Sequence, residues 1–254
     1  MDKIKREAQE SKKFYFDMID GTNLVALTLR NVALAEAMIH NNSTYLKADD
    51  VKVEKKVTKT GKLKQHGSVA YCVTRLKNAL EKNCSDEEYR EIMFDVVASI
   101  DAANSTHLNS DGVGRDEIAD RIAGIDRKTL LDMLKNPEKR GYDLIEIIRE
   151  KTHAKDEKHR ARLNYSFATK FCYNACFYIF EGMAEQDNFS IYDSVAQKAV
   201  LKYIKHYNLP FSQKDLLDYS KYHEVIGKII ELAGDAISRN GFDHLIWYFY
   251  KGRD

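Results

Sequence analysis

The chain has 254 residues and is poor in proline, in paired cysteines and in long apolar runs. Its two prolines leave most of the chain free to form helices, and its four cysteines include no C-x-x-C pair. This cysteine usage argues against an iron–sulfur site and predicts reduced thiols in a cytoplasmic protein. No stretch has the order of a signal peptide, and no uncharged apolar run reaches the about 18 residues of a membrane span.

Net charge is also nearly absent, because 40 Lys and Arg residues oppose 39 Asp and Glu residues. Such a balance says nothing about a nucleic-acid partner, so any polyanion would have to bind a local basic patch. The eight histidines show no H-x-x-x-H or H-E-x-x-H spacing, and we therefore predict neither a metal site nor a cofactor.

Most of the sequence has the apolar periodicity of amphipathic helices, and 44% apolar content is enough for a sizeable core. We therefore predict an all-α fold, with an N-terminal helical subdomain over 1–150 and a C-terminal one over 151–254. Thr22 is predicted to cap the first helix, and Asn240-Gly241 is read as a turn. The helices are predicted at about 22–40, 67–82, 87–103, 115–124, 127–135, 141–152, 163–181, 193–207, 219–237 and 241–251.

One stretch departs from the helical pattern. Residues 51–66 read VKVEKKVTKTGKLKQH, with valines alternating among lysines and a Lys-Thr-Gly turn signal, which is typical of a short exposed β-hairpin or a loop. Lysines along such a segment suit contacts to DNA phosphates, and a solvated loop is an equally good interpretation. The six lysines are Lys52, Lys55, Lys56, Lys59, Lys62 and Lys64.

Residues 163–180 read LNYSFATKFCYNACFYIF and contain a single charge, Lys170. Burial of an ammonium group lowers its pKa and supplies the neutral amine that can attack an electrophilic carbon. The alternative is a snorkelling lysine whose ammonium reaches water. Asp193 lies twenty-three residues further on and opens a strongly helical run, where it is predicted to act as N-cap. Lys170 and Asp193 form a candidate nucleophile and charge partner.

Three blocks in the last hundred residues resemble one family. NYSFATKF, NFSIYDSVAQKAVLKYI and SRNGFDHLIWYFYK resemble the bacterial 8-oxoguanine glycosylase-like proteins of the helix-hairpin-helix DNA glycosylase superfamily, over about 155–254. The resemblance implies two helical subdomains of that kind and a role in DNA repair. It also implies a DNA N-glycosylase with AP lyase activity, acting on double-stranded DNA that contains a modified purine such as 8-oxoguanine.

The resemblance assigns roles to two residues. Lys170 would attack the anomeric carbon of a flipped-out nucleotide, expel the base and leave a Schiff base that can eliminate the 3′ phosphate. Asp193 matches the family's aspartate at the start of the next helix. Because a flipped base needs apolar or aromatic walls, we add Phe167, Phe171 and Trp247 as candidate base-pocket residues, although most nearby aromatics belong to the core.

The chain departs from the family at the hairpin. A glycine-rich L-P-G-x-G turn normally precedes the catalytic lysine, whereas HRARLNYSFAT has no glycine; Arg160 and Arg162 are predicted to contact phosphate there instead. The G-x-G at Gly112 to Gly114 is read as a turn rather than a phosphate site. The missing hairpin favours the alternative function, a non-enzymatic helical DNA-binding or phage-defence interaction protein that retains the fold.

Three further residue types near the candidate site have structural interpretations. Cys172 and Cys176 are read as core thiols, because no histidine stands near them. Asp243 is read as a helix cap and His244 as a partly buried histidine, with hydrogen bonding inside the site as the alternative.

Overall fold

The computed structural model describes residues 15–42, 56–57, 63–64, 68–82, 84–104, 106, 108, 114–150, 152 and 164–251. These residues form ten α-helices, which confirms the predicted all-α fold class. The helices are α1 (Leu29–Asn42), α2 (Val69–Glu81), α3 (Asp86–Asn104), α4 (Gly114–Ala123), α5 (Arg127–Lys135), α6 (Asp143–Arg149), α7 (Tyr165–Ile179), α8 (Ser194–His206), α9 (Tyr219–Ala233) and α10 (Arg239–Tyr250).

A two-residue antiparallel ladder lies inside the segment for which we predicted a hairpin or a loop. Strand β1 (Lys56–Val57) pairs with β2 (Leu63–Lys64), with Lys56 opposite Lys64 and Val57 opposite Leu63. A ladder of this length contributes little stability of its own.

Side-chain caps fix where several helices begin, because each one satisfies an otherwise unpaired amide of the first turn. The capping oxygens belong to Ser68 at α2, Asp126 at α5, Asp218 at α9 and Ser238 at α10. The predicted turn at Asn240-Gly241 is wrong, since Ser238 starts α10 before it and both residues are helical. Gly241 instead allows close packing: a Cβ atom there would lie 2.8 Å from Cγ1 of Val32.

The first helix begins later than predicted. Its cap is Thr28, whose hydroxyl accepts from the Asn31 amide at 3.2 Å, and not Thr22. The residues before it form irregular structure because Asn31 holds them there. Its Nδ2 donates to the carbonyls of Asp17 and Ala26 at 2.9 and 2.8 Å, and its Oδ1 accepts from the Asp17 amide. Three hydrogen bonds to one buried amide side chain override the helical pattern over these residues.

Packing divides the chain into two compact units, which we describe separately. The terminal unit combines residues 1–45 with 190–254, and the central unit comprises residues 46–189. In the terminal unit, α10 packs against α1, α8 and α9. Its Tyr250 hydroxyl accepts from the Val25 amide at 3.3 Å, and the Tyr203 hydroxyl of α8 donates to the Val25 carbonyl at 2.6 Å. The N-terminal segment is thereby fastened to the C-terminal helices.

In the central unit, α7 packs against α2, α3, α5 and α6. The division differs from our predicted subdomains of 1–150 and 151–254, which would separate α7 from all of these helices. The side chain of Asn188, which follows α7, donates to the carbonyls of Leu134 and Lys135 at 2.8 and 3.1 Å and so caps the C-terminal end of α5. These contacts explain why residues 164–189 group with the preceding helices.

Two Asp–Arg pairs connect α3 with α4 in the central unit, and they differ in burial. Asp101 is buried and accepts from Nε and Nη2 of Arg115 at 2.8 and 2.7 Å, from the Leu108 amide at 3.0 Å and from the Thr106 hydroxyl. Arg90 binds Asp120 through two bonds of 2.6 Å, but both side chains are about half exposed.

The buried network also explains one glycine of the G-x-G pattern. A Cβ atom on Gly114 would lie 2.6 Å from the carbonyl oxygen of Leu108, which Asp101 holds in place through the Leu108 amide. Gly114 is required where the backbone approaches itself, a role that needs no bound phosphate.

We expect the two pairs to differ strongly in their effect on stability. Asp101→Ala should lower the free energy of unfolding by about 3–5 kcal/mol, because it leaves the Arg115 guanidinium buried without its partner. Asp120→Ala is the matched control and should cost much less than Asp101→Ala, since solvent screens an exposed pair. Urea denaturation followed by circular dichroism measures both values. Equal losses of unfolding free energy in the two variants would show that burial does not determine how much the Asp101–Arg115 pair stabilises the fold.

Candidate active site

Lys170 lies in the middle of α7 and is the only charged residue of that helix. The residue is 8% exposed, and the helix is buried on most of its circumference. Ser166 and Asn174 are half-buried and stand four residues before and after Lys170, so the three form a polar stripe along one helix face. Asn174 donates from Nδ2 to the Lys170 carbonyl at 2.7 Å. Lys170 therefore sits on the polar stripe of an otherwise apolar helix, and the residue as a whole is buried.

The start of α7 is fixed from the end of α6. The Asn164 amide donates to the Arg149 carbonyl at 3.0 Å, and Nδ2 of Asn164 donates to the Glu150 carbonyl at 3.3 Å. The Arg149 guanidinium lies 5.1 Å from the centre of the Tyr165 ring, within the range of a cation–π contact. These contacts set the position from which α7 carries Lys170 into the core.

The thiols on the same helix are poor candidates for the nucleophile. Cys172 and Cys176 are fully buried, which confirms their prediction as core residues. Burial raises the pKa of both thiols well above the usual value, so the reactive thiolate is suppressed. The Cys176 thiol donates to the Leu134 carbonyl at 3.5 Å.

Asp193 is the N-cap of α8, as the sequence predicts. Its Oδ1 accepts from the amides of Val195 and Ala196 at 3.0 and 2.9 Å, while its backbone is extended. The carboxylate is half-buried and lies where the helix dipole stabilises negative charge. A cap held in this way keeps a negative charge at a fixed place at the start of α8.

Three buried side chains hold the segment that leads to Asp193. The Tyr219 hydroxyl accepts from the Ser190 amide at 2.8 Å and donates to the Ser190 carbonyl at 3.0 Å. The Tyr222 hydroxyl donates to the Ile191 carbonyl at 2.6 Å, and Oδ2 of Asp243 accepts from the Ile191 amide at 2.9 Å. The amide and carbonyl groups of Ser190 and Ile191 are thus all hydrogen-bonded to side chains. These bonds fix an extended segment that pairs with no neighbouring strand.

Asp243 departs from its prediction as a helix cap. It lies inside α10, where Ser238 supplies the cap, and it is buried with its carboxylate on the Ile191 amide. Sequence reasoning also missed Tyr219 and Tyr222, because nothing in a tyrosine at helical spacing indicates which distant backbone its hydroxyl meets. The signal that was available is Asp243 itself, an acidic residue that stands with His244 between the apolar Phe242 and the apolar run that ends α10.

The candidate base-pocket residues differ in exposure. Phe167 and Phe171 are buried in the core, with 1% and 0% of their surface exposed, whereas Trp247 is 41% exposed. The Lys251 ammonium lies 3.9 Å from the centre of the Trp247 ring. Of the three predicted stacking residues, Trp247 is the one whose ring is open to solvent.

Most of the predicted DNA-contacting residues lie outside the described residues. These are Arg160, Arg162, Lys55, Lys59 and Lys62, together with Lys52. Lys56 and Lys64 are placed only as backbone in the two short strands. Their contacts to DNA remain predictions.

Comparisons with known proteins give no match: no family model, no curated protein and no solved structure resembles the chain significantly. Within the described residues, no helix is long and apolar enough to cross a membrane. The same residues contain no group of three or more His, Cys, Asp and Glu side chains arranged to hold a metal ion.

The side chains of Tyr219, Tyr222 and Asp243 form a clamp on the backbone of residues 190 and 191. We predict that the loss of stability depends on which of these hydrogen bonds is removed. Tyr222→Phe removes one hydrogen bond and should lower the free energy of unfolding by about 1 kcal/mol, and Asp243→Ala should cost about 1.5–3 kcal/mol because it removes a charged acceptor. The exposed Tyr15 provides the control, since Tyr15→Phe should change stability by less than about 0.5 kcal/mol. Denaturant unfolding measures all three; equal effects of the two tyrosine variants would contradict the clamp.

Proposed function

We propose that the protein is a DNA glycosylase with AP lyase activity that excises a modified purine, such as 8-oxoguanine, from double-stranded DNA with Lys170 as nucleophile. The proposal is carried by one observation: the single charge of α7 is a lysine with 8% exposure. Burial removes part of the hydration that stabilises the charged form of an ammonium group. The same desolvation favours the neutral amine that a nucleophile requires.

In the proposed reaction the neutral amine of Lys170 attacks C1′ of a flipped-out nucleotide. The bond between C1′ and the base nitrogen breaks, the base leaves with the electron pair and takes up a proton, and the attacking amine loses a proton. Cleavage of the C1′–O4′ bond then opens the sugar ring: O4′ takes up a proton, the nitrogen gives up its remaining proton, and an imine forms between C1′ and Nζ. In the lyase step C2′ loses a proton, a double bond forms between C2′ and C3′, and the bond between C3′ and its phosphate oxygen breaks, so that the phosphate leaves with the electron pair.

Asp193 supplies negative charge in this proposal. Positive charge develops on the sugar as the bond to the base breaks, and a fixed carboxylate stabilises it more effectively than mobile water does. The amides of Val195 and Ala196 hold Asp193 as a cap, which keeps the side chain in one orientation.

The reduced, cytoplasmic setting predicted from the cysteines suits a DNA repair enzyme and belongs to the same proposal. The rival function is a non-enzymatic helical DNA-binding or phage-defence interaction protein. It is favoured by the absence of glycine from HRARLNYSFAT, the segment that precedes Lys170. The two functions differ in whether a covalent bond to DNA forms.

Borohydride trapping on a panel of lesion duplexes tests the proposal, because borohydride reduces the imine to a stable covalent adduct. The unmodified protein should form an adduct with at least one lesion duplex, and Lys170→Gln should form none while retaining its fold. Lys139→Gln removes the same charge from an exposed position of the central unit and should leave trapping unchanged. Failure of the unmodified protein to trap or excise any base would favour the rival function.

Asp193→Asn separates capping from charge. Asn caps a helix about as well as Asp, so the free energy of unfolding should change by less than about 0.5 kcal/mol. Excision should nonetheless fall by at least tenfold, since the negative charge near the developing positive charge is gone. Single-turnover kinetics and thermal unfolding give the two values. Unchanged excision by this variant would remove Asp193 from the reaction.

The proposed partner, duplex DNA, also predicts a salt dependence. If Arg160 and Arg162 each neutralise a phosphate, the slope of log K against log salt for duplex binding should become shallower by about 0.9 for each arginine replaced by glutamine. Replacement of Lys55, Lys56, Lys59, Lys62 and Lys64 tests the basic loop in the same way. Fluorescence anisotropy at several salt concentrations gives the slopes, and a slope that neither replacement alters would exclude both segments from the DNA contact.

A further inference from the structure

The exposed face of α8 is composed of one serine and three lysines. Its exposed residues are Ser194, Lys198, Lys202 and Lys205, and the buried residues of the helix lie on the opposite side. At 100° per residue the four exposed side chains fall within about 80° of one another, which makes them one stripe along the helix. We call this stripe the α8 lysine face.

The segment that contains this face is unusually basic for a chain whose overall charge is balanced. Between Asp193 and Asp215 there are four lysines and a histidine but none of the 39 acidic residues. The neighbouring helix α9 differs in composition, because it carries Glu224 and Glu231 as well as its two lysines. The α8 lysine face therefore concentrates positive charge on a helix that carries no acidic residue.

The lysine spacing suits a polyanion with closely repeated charges. Lys198 and Lys205 are seven residues apart, so their Cα atoms are separated by about 10 Å along the axis, at about 1.5 Å per residue. Measured along the duplex axis, one DNA strand carries one charge per about 3.4 Å, so a length of about 10 Å corresponds to about three charges of that strand. The Lys202 ammonium also lies 4.9 Å from the centre of the buried Tyr250 ring, which restrains it on this face.

We infer that the α8 lysine face binds the phosphate backbone of duplex DNA beside the nucleotide that is processed at Asp193. The choice of DNA rests on the proposed function, because Asp193 caps the helix that carries the face. Lysines on an exposed helix surface position a duplex without reading its sequence. An anionic membrane suits the face less well, because α8 exposes no large apolar side chain that could insert between lipids.

The test is a triple variant, Lys198→Gln with Lys202→Gln and Lys205→Gln, assayed for binding to an undamaged duplex at several salt concentrations. The variant should bind at least tenfold more weakly at low salt, and its salt slope should be shallower by about 2 to 3, since each lost phosphate contact contributes about 0.9. The corresponding Arg triple keeps the charges and should bind within about threefold of the unmodified protein.

A control triple removes equal charge from other exposed positions, through Lys82→Gln, Lys139→Gln and Lys221→Gln. It should retain the salt slope of the unmodified protein. Circular dichroism confirms that each variant is folded. The inference is overturned if the α8 triple keeps the unmodified slope, if the control triple loses as much, or if the unmodified protein binds no duplex.

Borohydride trapping in parallel distinguishes this inference from the proposed function. DNA binding that depends on the α8 lysine face, without any trapped adduct, would contradict the glycosylase activity and support the DNA-binding role of the face. If the triple variant binds duplex as tightly as the unmodified protein and still forms a normal adduct, the DNA-binding role of the face is contradicted and the glycosylase activity is supported.

Discussion

The burial of α7 is the constraint on which the central unit and the proposed chemistry both depend. Four helices of that unit, α2, α3, α5 and α6, pack around it, and Asn164 fixes its start through the carbonyls that end α6. A helix covered in this way has to be apolar on nearly every face. Lys170 is the exception, a charged residue on the polar stripe that it shares with Ser166 and Asn174.

The candidate site shows how an aspartate can be fixed without a sheet or a metal. Asp193 is held from its own helix by two amide hydrogen bonds, and the residues before it are held by two tyrosines and Asp243. Every backbone group of residues 190 and 191 is satisfied within the terminal unit. The carboxylate is consequently presented by a rigid frame, the condition under which a charge stabilises a reaction most effectively.

Sequence reasoning predicted the local features well, because they depend on nearby residues. The positions of most helices, the burial of Lys170 and the cap at Asp193 all follow from periodicity and from one polar residue in an apolar context. The start of α1 was wrong by seven residues, since Asn31 binds backbone groups of Asp17 and Ala26 that no helical pattern predicts. Tyr219 and Tyr222 were missed for the same reason, because their partners are distant in sequence, and Asp243 was predicted to be a helix cap although it binds the distant Ile191 amide. The α8 lysine face was overlooked because its lysines lie three and four residues apart among apolar residues and share a face only once the helix forms.

Identification of the lysine that bonds to DNA tests the central claim most directly. After borohydride reduction with a lesion duplex, the covalent complex can be digested with nuclease and protease, and the adduct mapped by mass spectrometry. The account predicts that the sugar remnant is on the peptide containing Lys170 and on no other lysine. An adduct on a surface lysine, such as those of the α8 lysine face, or no adduct with any lesion, would contradict it.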